Sequence, residues 1–222
     1  MNKSMICKRI ISLIVTLFMV LGMIPAYAAE STLSGNGTSN EPYLIGTEAD
    51  LIAFKDMVHE DAIAKANESE NGIGVSTLCA KLTADITLTP GWTGMGYRGS
   101  KQYRYGGVFD GNGYTISNMT AGRVEICGLV GESGTGLTIK NLTIEGTMEI
   151  PEGEETLYYS GGFVGRANDA VTFINCNNMV DITGTGGYLG GFIGYTGNFA
   201  HSFENCANYG DIKTTNTSGE NI

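Results

Sequence analysis

Along the chain, short runs of apolar and β-branched residues alternate with glycine, asparagine, aspartate and threonine, and from residue 128 the alternation repeats itself. Gly128-Leu129-Val130-Gly131 leads to Leu137-Thr138-Ile139-Lys140-Asn141-Leu142. Gly162-Phe163-Val164-Gly165 leads to Val171-Thr172-Phe173-Ile174-Asn175-Cys176, and Gly191-Phe192-Ile193-Gly194 to Ser202-Phe203-Glu204-Asn205-Cys206. The step from Gly128 to Asn141 is matched by Gly162 to Asn175 and nearly so by Gly191 to Asn205, while the interval between units shortens from the first pair to the second. A third run closes each unit: Thr143-Ile144-Glu145-Gly146, Val180-Asp181-Ile182-Thr183 and Gly210-Asp211-Ile212-Lys213. Runs this short do not make a stable sheet alone. Coiling the chain so that each run pairs with its counterpart one period later gives every backbone group a partner and stacks the inward side chains into a continuous core. The pattern therefore predicts an all-β fold, a three-faced β-solenoid. An antiparallel sandwich also uses short strands at regular spacing, but it does not require the same Gly-apolar-apolar-Gly motif at equivalent places.

The segment ahead of the repeats has a different period. Pro42-Tyr43-Leu44-Ile45 reads as a short strand, and Thr47 with Asp50 as a helix-capping box. Leu51, Phe54, Val58 and Ala62 recur at helical spacing, which predicts a helix from about Glu48 into the sixties. Gly72 and Gly74 separate it from the strand alternation of Leu78 to Leu88. A solenoid end exposes strand edges and core, and a helix laid across it blocks end-to-end aggregation. The expected organisation is a signal peptide over 1–28, a flexible Ser/Gly/Asn-rich leader over 29–40, an N-terminal cap of strand and helix over 41–75, and the solenoid over 76–222.

In their order, these motifs resemble a family. The Pro42–Ile45 strand and the Leu51–Phe54 helix, Lys81-Leu82-Thr83-Ala84-Asp85-Ile86-Thr87-Leu88, Trp92-Thr93-Gly94-Met95-Gly96, and Gly107-Val108-Phe109-Asp110-Gly111-Asn112-Gly113-Tyr114-Thr115-Ile116 are similar to the opening of many Gram-positive surface proteins. The Gly-apolar-apolar-Gly units resemble the GLUG repeat found in bacterial surface adhesins and beside the peptidase domain of immunoglobulin-A-cleaving metallopeptidases. The likeness spans nearly all of 41–215. It implies a right-handed parallel β-helix on an exported, adhesin-like protein.

Export is also written in the opening segment. Lys3, Lys8 and Arg9 precede an apolar run from Ile10 to Ile24; Pro25 breaks it, and Ala26-Tyr27-Ala28 supplies the small-x-small pattern of a signal peptidase site. An uncleaved anchor is the alternative, but the run is short against the roughly 20 residues of a membrane span. Cys7 precedes the run and is not placed to carry a lipid. Removing 1–28 takes three basic residues and no acidic ones, so the net charge moves from −10 to −13. Such a charge excludes nucleic acid, anionic lipid and teichoic acid as primary partners through repulsion. The remaining cysteines, Cys79, Cys127, Cys176 and Cys206, are expected to be small buried residues rather than disulfides, because a core of this size needs no staples.

Candidate chemistry is sparse. His59-Glu60-Asp61-Ala62-Ile63 begins like a zinc-peptidase helix but has no histidine four residues on, so one zinc ligand is missing. His201 sits beside a turn, without a Ser or Cys partner in a recognisable motif. Asp110-Gly111-Asn112-Gly113 begins like a calcium loop, but the rest of the ligand series is absent, and a tight turn needing positive φ explains the same residues. Asp181 and Asp211 occupy matching repeat positions, with Thr147 there in the first repeat, and form the one candidate carboxylate pair for glycoside chemistry. Two solvated residues in register give the same pattern. Asn141, Asn175 and Asn205 predict an internal asparagine ladder. Tyr103, Tyr105, Tyr158, Tyr159, Tyr188 and Tyr195 offer aromatic surfaces for sugar stacking or a protein partner, or serve as packing residues.

These features lead to the expectation of a non-enzymatic binding or adhesion module with no catalytic, cofactor or metal site. It would be secreted or cell-wall associated, would not span a membrane after cleavage, and would take a glycan or a host or bacterial surface protein as partner. A degenerate carbohydrate-active β-helix using Asp181 and Asp211, or a structural spacer of a longer surface protein, are the alternatives. The polar stretch Thr214–Ile222, lacking a sorting motif, is expected to mark a truncated frame or to continue into further sequence. Mass spectrometry of the exported protein should find Ala29 at the mature N-terminus; retention of Met1 would refute the signal assignment.

Overall fold

The computed structural model describes residues 33–122, 125–150, 159–184 and 187–215, so the expected signal peptide and Tyr158 lie outside it. The described chain is a parallel β-solenoid with one helix near its start. The first long sheet stacks β1 (Tyr43–Ile45), β3 (Ala80–Leu82), β7 (Val108–Asp110), β11 (Thr138–Lys140), β15 (Thr172–Ile174) and β19 (Ser202–Glu204). The second stacks β2 (Ile73–Ser76), β6 (Gln102–Tyr105), β10 (Val130–Ser133), β14 (Val164–Ala167) and β18 (Ile193–Thr196), and β5 (Tyr97–Arg98) pairs antiparallel with β6. The third stacks β4 (Ile86–Thr87), β8 (Thr115–Met119), β12 (Thr143–Ile150), β16 (Asn177–Gly184) and β20 (Ala207–Asn208), with β21 (Ile212–Thr214) also on β16. A shorter fourth sheet of β9 (Ile126–Cys127), β13 (Tyr159–Gly161) and β17 (Tyr188–Gly190) is added in the later turns, a side that the three-faced expectation lacked.

The repeat units fall in register as the spacing predicts. Val130 pairs with Val164 and Val164 with Ile193, while Ile139, Phe173 and Phe203 form one column of the first sheet. Buried Phe173 stacks on exposed Phe203 at 5.1 Å, and buried Phe163 on half-buried Phe192 at 5.0 Å. The closing run is longer than the sequence suggests. β12 and β16 pair along their whole length, from Thr143↔Asn177 to Ile150↔Gly184, which sets Gly146 rather than Thr143 opposite Val180.

Helix α1 (Glu48–Glu68) begins at the expected capping box: Thr47 Oγ1 accepts the Asp50 amide, and Asp50 Oδ2 accepts the Thr47 amide. Leu51, Phe54, Val58, Ala62 and Ala66 are its buried stripe, and Phe54 meets Tyr43, Tyr105 and Phe109 edge-on or tilted. The coil starts earlier than residue 76. β1, grouped with the cap from its sequence, is the first strand of a long sheet, and α1 is an insertion between two strands of the opening turn. Nor is 33–40 a bare leader: Ser34 O accepts the Leu44 amide, and Gly37 O accepts the Cys79 amide. Composition alone does not reveal those partners, because they are backbone groups supplied by later strands.

Seating of the helix depends on one glycine. A Cβ on Gly74 would stand 1.8 Å from the Ala62 carbonyl oxygen, so any side chain there forces α1 off β2. Gly74→Ala is expected to destabilise the protein by about 1–3 kcal/mol, the usual range for overpacking. An unchanged thermal midpoint would show that the helix does not need this close approach.

Candidate functional site

The sequence-predicted residues scatter over several faces of the solenoid. Asp181 and Asp211 are adjacent and exposed, as the register of β16 with β21 requires. Their carboxylates are already engaged: Asp181 Oδ1 accepts the Asp211 amide at 2.8 Å, and Asp211 Oδ2 pairs with Lys213 Nζ at 2.9 Å. The hydrogen bond and charge of Lys213 hold the Asp211 pKa below the ordinary carboxylate range. A general acid needs the opposite shift. Repeat spacing alone places no cation beside the pair; Lys213 follows Asp211 by two positions, and strand alternation turns it to the same side.

Asp110 is built into a turn. Its Oδ1 accepts the Asn112 amide at 2.9 Å and Asn141 Nδ2 at 3.0 Å, and Oδ2 lies 3.3 Å from Lys140 Nζ. Burial opposes its ionisation, but these hydrogen bonds and Lys140 outweigh it, and the pKa falls. The asparagine ladder runs on from here, with Asn175 Nδ2 to Asn141 Oδ1 at 2.9 Å and Asn205 Nδ2 to Asn175 Oδ1 at 3.2 Å. It is not internal, however. Asn141, Asn175 and Asn205 occupy the left-handed region, with φ of 52°, 54° and 51°, at the outer corner between two sheets. Asparagine tolerates that conformation, which a β-branched residue would not. A separate buried amide, Asn178, donates to Asn208 Oδ1 at 2.6 Å.

Both histidines have structural partners. His59 Nε2 accepts the Gly96 amide at 3.0 Å. His201 Nδ1 accepts the Val171 amide at 3.1 Å while Nε2 faces Thr196 Oγ1 at 2.6 Å, and burial lowers its pKa. Among the described residues no three His, Cys, Asp or Glu side chains gather as metal ligands would.

The tyrosines divide sharply. Tyr105 is a core residue, and Tyr103 pairs with Tyr97 at 4.8 Å. Tyr159, Tyr188 and Tyr195 converge on the outside, where the short sheet meets the second long one. Tyr159 and Tyr188 are in register and stacked at 5.6 Å, and Tyr195 stands 4.8 Å from the first ring and 5.0 Å from the second. Tyr188 is 46% exposed. Arg166 underlies the group, its guanidinium 5.4 Å from the Tyr159 ring and 5.6 Å from the Tyr195 ring.

Arg166 is fixed in turn by Glu132, which is wholly buried at 0% exposure and lies 3.7 Å from it across the β10–β14 pair. Asn168 Nδ2 donates to the other carboxylate oxygen of Glu132. Burial lowers the pKa of Arg104 on the preceding rung, and the field of Glu132 opposes that shift. A buried carboxylate is tolerated only with such partners, and breaking the pair by removing one member costs about 3–5 kcal/mol. The platform therefore rests on a buried ion pair. Its tyrosines were among the residues singled out from sequence, but Glu132, Arg166 and Asn168 were not. The signal was present: Glu132, Arg166 and Tyr195 each directly follow the closing glycine of a Gly-apolar-apolar-Gly unit.

Among the described residues no disulfide links any of the four cysteines. Burial pushes the Cys176 thiol up to about 12. Thiol counts on the unfolded protein should be equal before and after reduction, and native labelling at mildly alkaline pH should reach half-buried Cys206 well ahead of Cys176. A gain of thiols on reduction would overturn this assignment.

No family model matches the chain. Over 119 residues, half of its length, it is 34% identical to a segment of halomucin from Haloquadratum walsbyi, and that match spans about 1% of halomucin. A crystal structure of a proposed immunoglobulin A1 protease from Bacteroides ovatus overlaps 80% of this chain and 69% of that one, at 17% identity and a TM-score of 0.40.

Proposed function

We propose that this chain is an exported, surface-associated, non-enzymatic binding module that captures neutral glycans on the Tyr159–Tyr188–Tyr195 platform. The observation that carries the reading is three tyrosine rings packed outward over one arginine, which is itself pinned by a buried carboxylate. The C–H face of a sugar carries partial positive charge and meets the negative face of a tyrosine ring, while the phenolic hydroxyls bond its rim. Pre-set rings lose little side-chain entropy on binding, which favours affinity. The strong net negative charge of the chain, −10 before any cleavage, makes a neutral saccharide the better-suited partner for this face. Surface association draws on the signal-like segment 1–28 and on the likeness to halomucin, and the Gly-apolar-apolar-Gly units are read as GLUG-type repeats. The arrangement of Asp181 and Asp211 favours a backbone role over hydrolysis.

A neutral-glycan array probed with the mature protein tests this. Binding to at least one neutral glycan is expected, reduced about tenfold or more by Tyr188→Ala with Tyr195→Ala, as for truncated aromatic anchors. The tyrosines are the residues to change, because truncating Arg166 would strand the Glu132 charge. Binding that is undiminished in a folded double variant, or no glycan bound at all, would sink the proposal.

A further inference from the structure

A recess lies toward the opposite end of the described chain, where α1 meets the segment leading into β5. Its volume is about 300 Å³, at the small end for ligand pockets, and Lys55, His59, Thr93 and Tyr97 line it. The Lys55 side chain is only 17% exposed. Among the described residues its ammonium group donates one hydrogen bond, to Thr93 Oγ1 at 3.2 Å, and it lies 5.4 Å from the Trp92 ring centroid. Asp56 is the nearest carboxylate, at 3.8 Å, but it points to solvent with 61% of its side chain exposed. An ammonium carries three N–H groups. Lys55 is thus a largely desolvated cation with an incomplete set of acceptors.

The other described lining groups carry no competing negative charge. Thr93 Oγ1 accepts from Lys55, so its own hydrogen is available to donate. His59 is anchored through Nε2, which accepts the Gly96 amide. The Tyr97 ring, 5.0 Å from the His59 ring, forms a flat wall. Among the described residues none that lines the recess is a carboxylate. A recess with a threonine hydroxyl beside one largely covered cation, and with an aromatic wall, suits an anion attached to a compact ring.

We propose that Lys55, His59, Thr93 and Tyr97 form a binding site for a monosaccharide-sized carboxylate, with the acid group on Lys55 and the sugar ring against Tyr97. The strongly negative net charge does not forbid this. Charges beyond about 8 Å are largely screened at physiological ionic strength, whereas Lys55 acts on the acid group in direct contact. The site is distinct from the tyrosine platform, so each can fail without the other.

Trp92 is the sole tryptophan of the chain and is 7% exposed beneath Lys55, which makes its fluorescence a local reporter. Glucuronate and glucose differ at one carbon, carboxylate against hydroxymethyl, and form a matched pair of probes. Calorimetry on the mature protein should show saturable binding of glucuronate with a parallel change in Trp92 emission. Glucose and acetate should bind at least about tenfold more weakly, consistent with one charge-assisted contact plus the ring. Lys55→Gln should abolish glucuronate binding while the thermal midpoint holds. Should that variant misfold, the wild-type salt dependence decides, since an ammonium–carboxylate contact must weaken at high salt. No saturable binding of glucuronate, equal binding of glucose or acetate, an unaffected folded Lys55→Gln protein, or salt-independent affinity would each overturn the assignment.

Discussion

Lateral pairing of the backbone from one turn to the next is the constraint on which everything else in this protein rests. Its strands are short, most of them of four residues or fewer. None of them holds together alone. Each is stable only because a counterpart lies alongside at the usual strand spacing of about 4.8 Å. That spacing forces side chains at the same repeat position into contact, so the content of each column decides what the turn tolerates. Apolar columns such as Phe109, Ile139 and Phe173 become the core, and an isolated change in one is felt by its neighbours on the adjoining rungs.

The same enforced stacking explains the polar features. At the corner after β11, β15 and β19 a residue takes positive φ, and asparagine fills it in each of these turns. Stacking then aligns the amides closely enough to bond each other, ending on the Asp110 carboxylate. In the second sheet, a column that carries Arg104, Glu132, Arg166 and Tyr195 turns stacking to another use. Opposite charges on adjacent rungs neutralise a carboxylate that could not otherwise be buried. That base holds the arginine under the tyrosine rings.

The two proposed sites draw on different parts of the architecture. The tyrosine platform belongs to the repeat itself, with rings from β13, β17 and β18 brought together by register. The Lys55 recess belongs to the insertion, because of its described lining residues two come from α1 and two from the segment before β6. A helix placed on the opening turn thereby does more than cover core: it brings a desolvated ammonium group against a loop that the repeat alone would leave bare.

By itself the sequence determined the solenoid, its register and its helix. Those follow from local signals: glycines at fixed intervals, apolar residues at period two or at helical spacing, and the capping pair Thr47 and Asp50. It also marked Asn141, Asn175 and Asn205 as a ladder, since equal spacing becomes contact in any coil of this kind. Whether that ladder lay inside or at the corner was not legible, because it depends on a backbone angle that asparagine permits but does not enforce. The fourth sheet and the length of the β12–β16 pair were likewise hidden, since the intervening turns differ in length from one repeat to the next. Among the five described tyrosines of that set, identical side chains were sorted into core, pair and platform only by the face each strand turned outward. The partners of Glu132 and Lys55 were settled last, by the tertiary structure alone. A buried charge is held by groups distant in the chain, Arg166 on the next rung for Glu132 and Thr93 beyond three further strands for Lys55, and no local pattern records which of them will meet it.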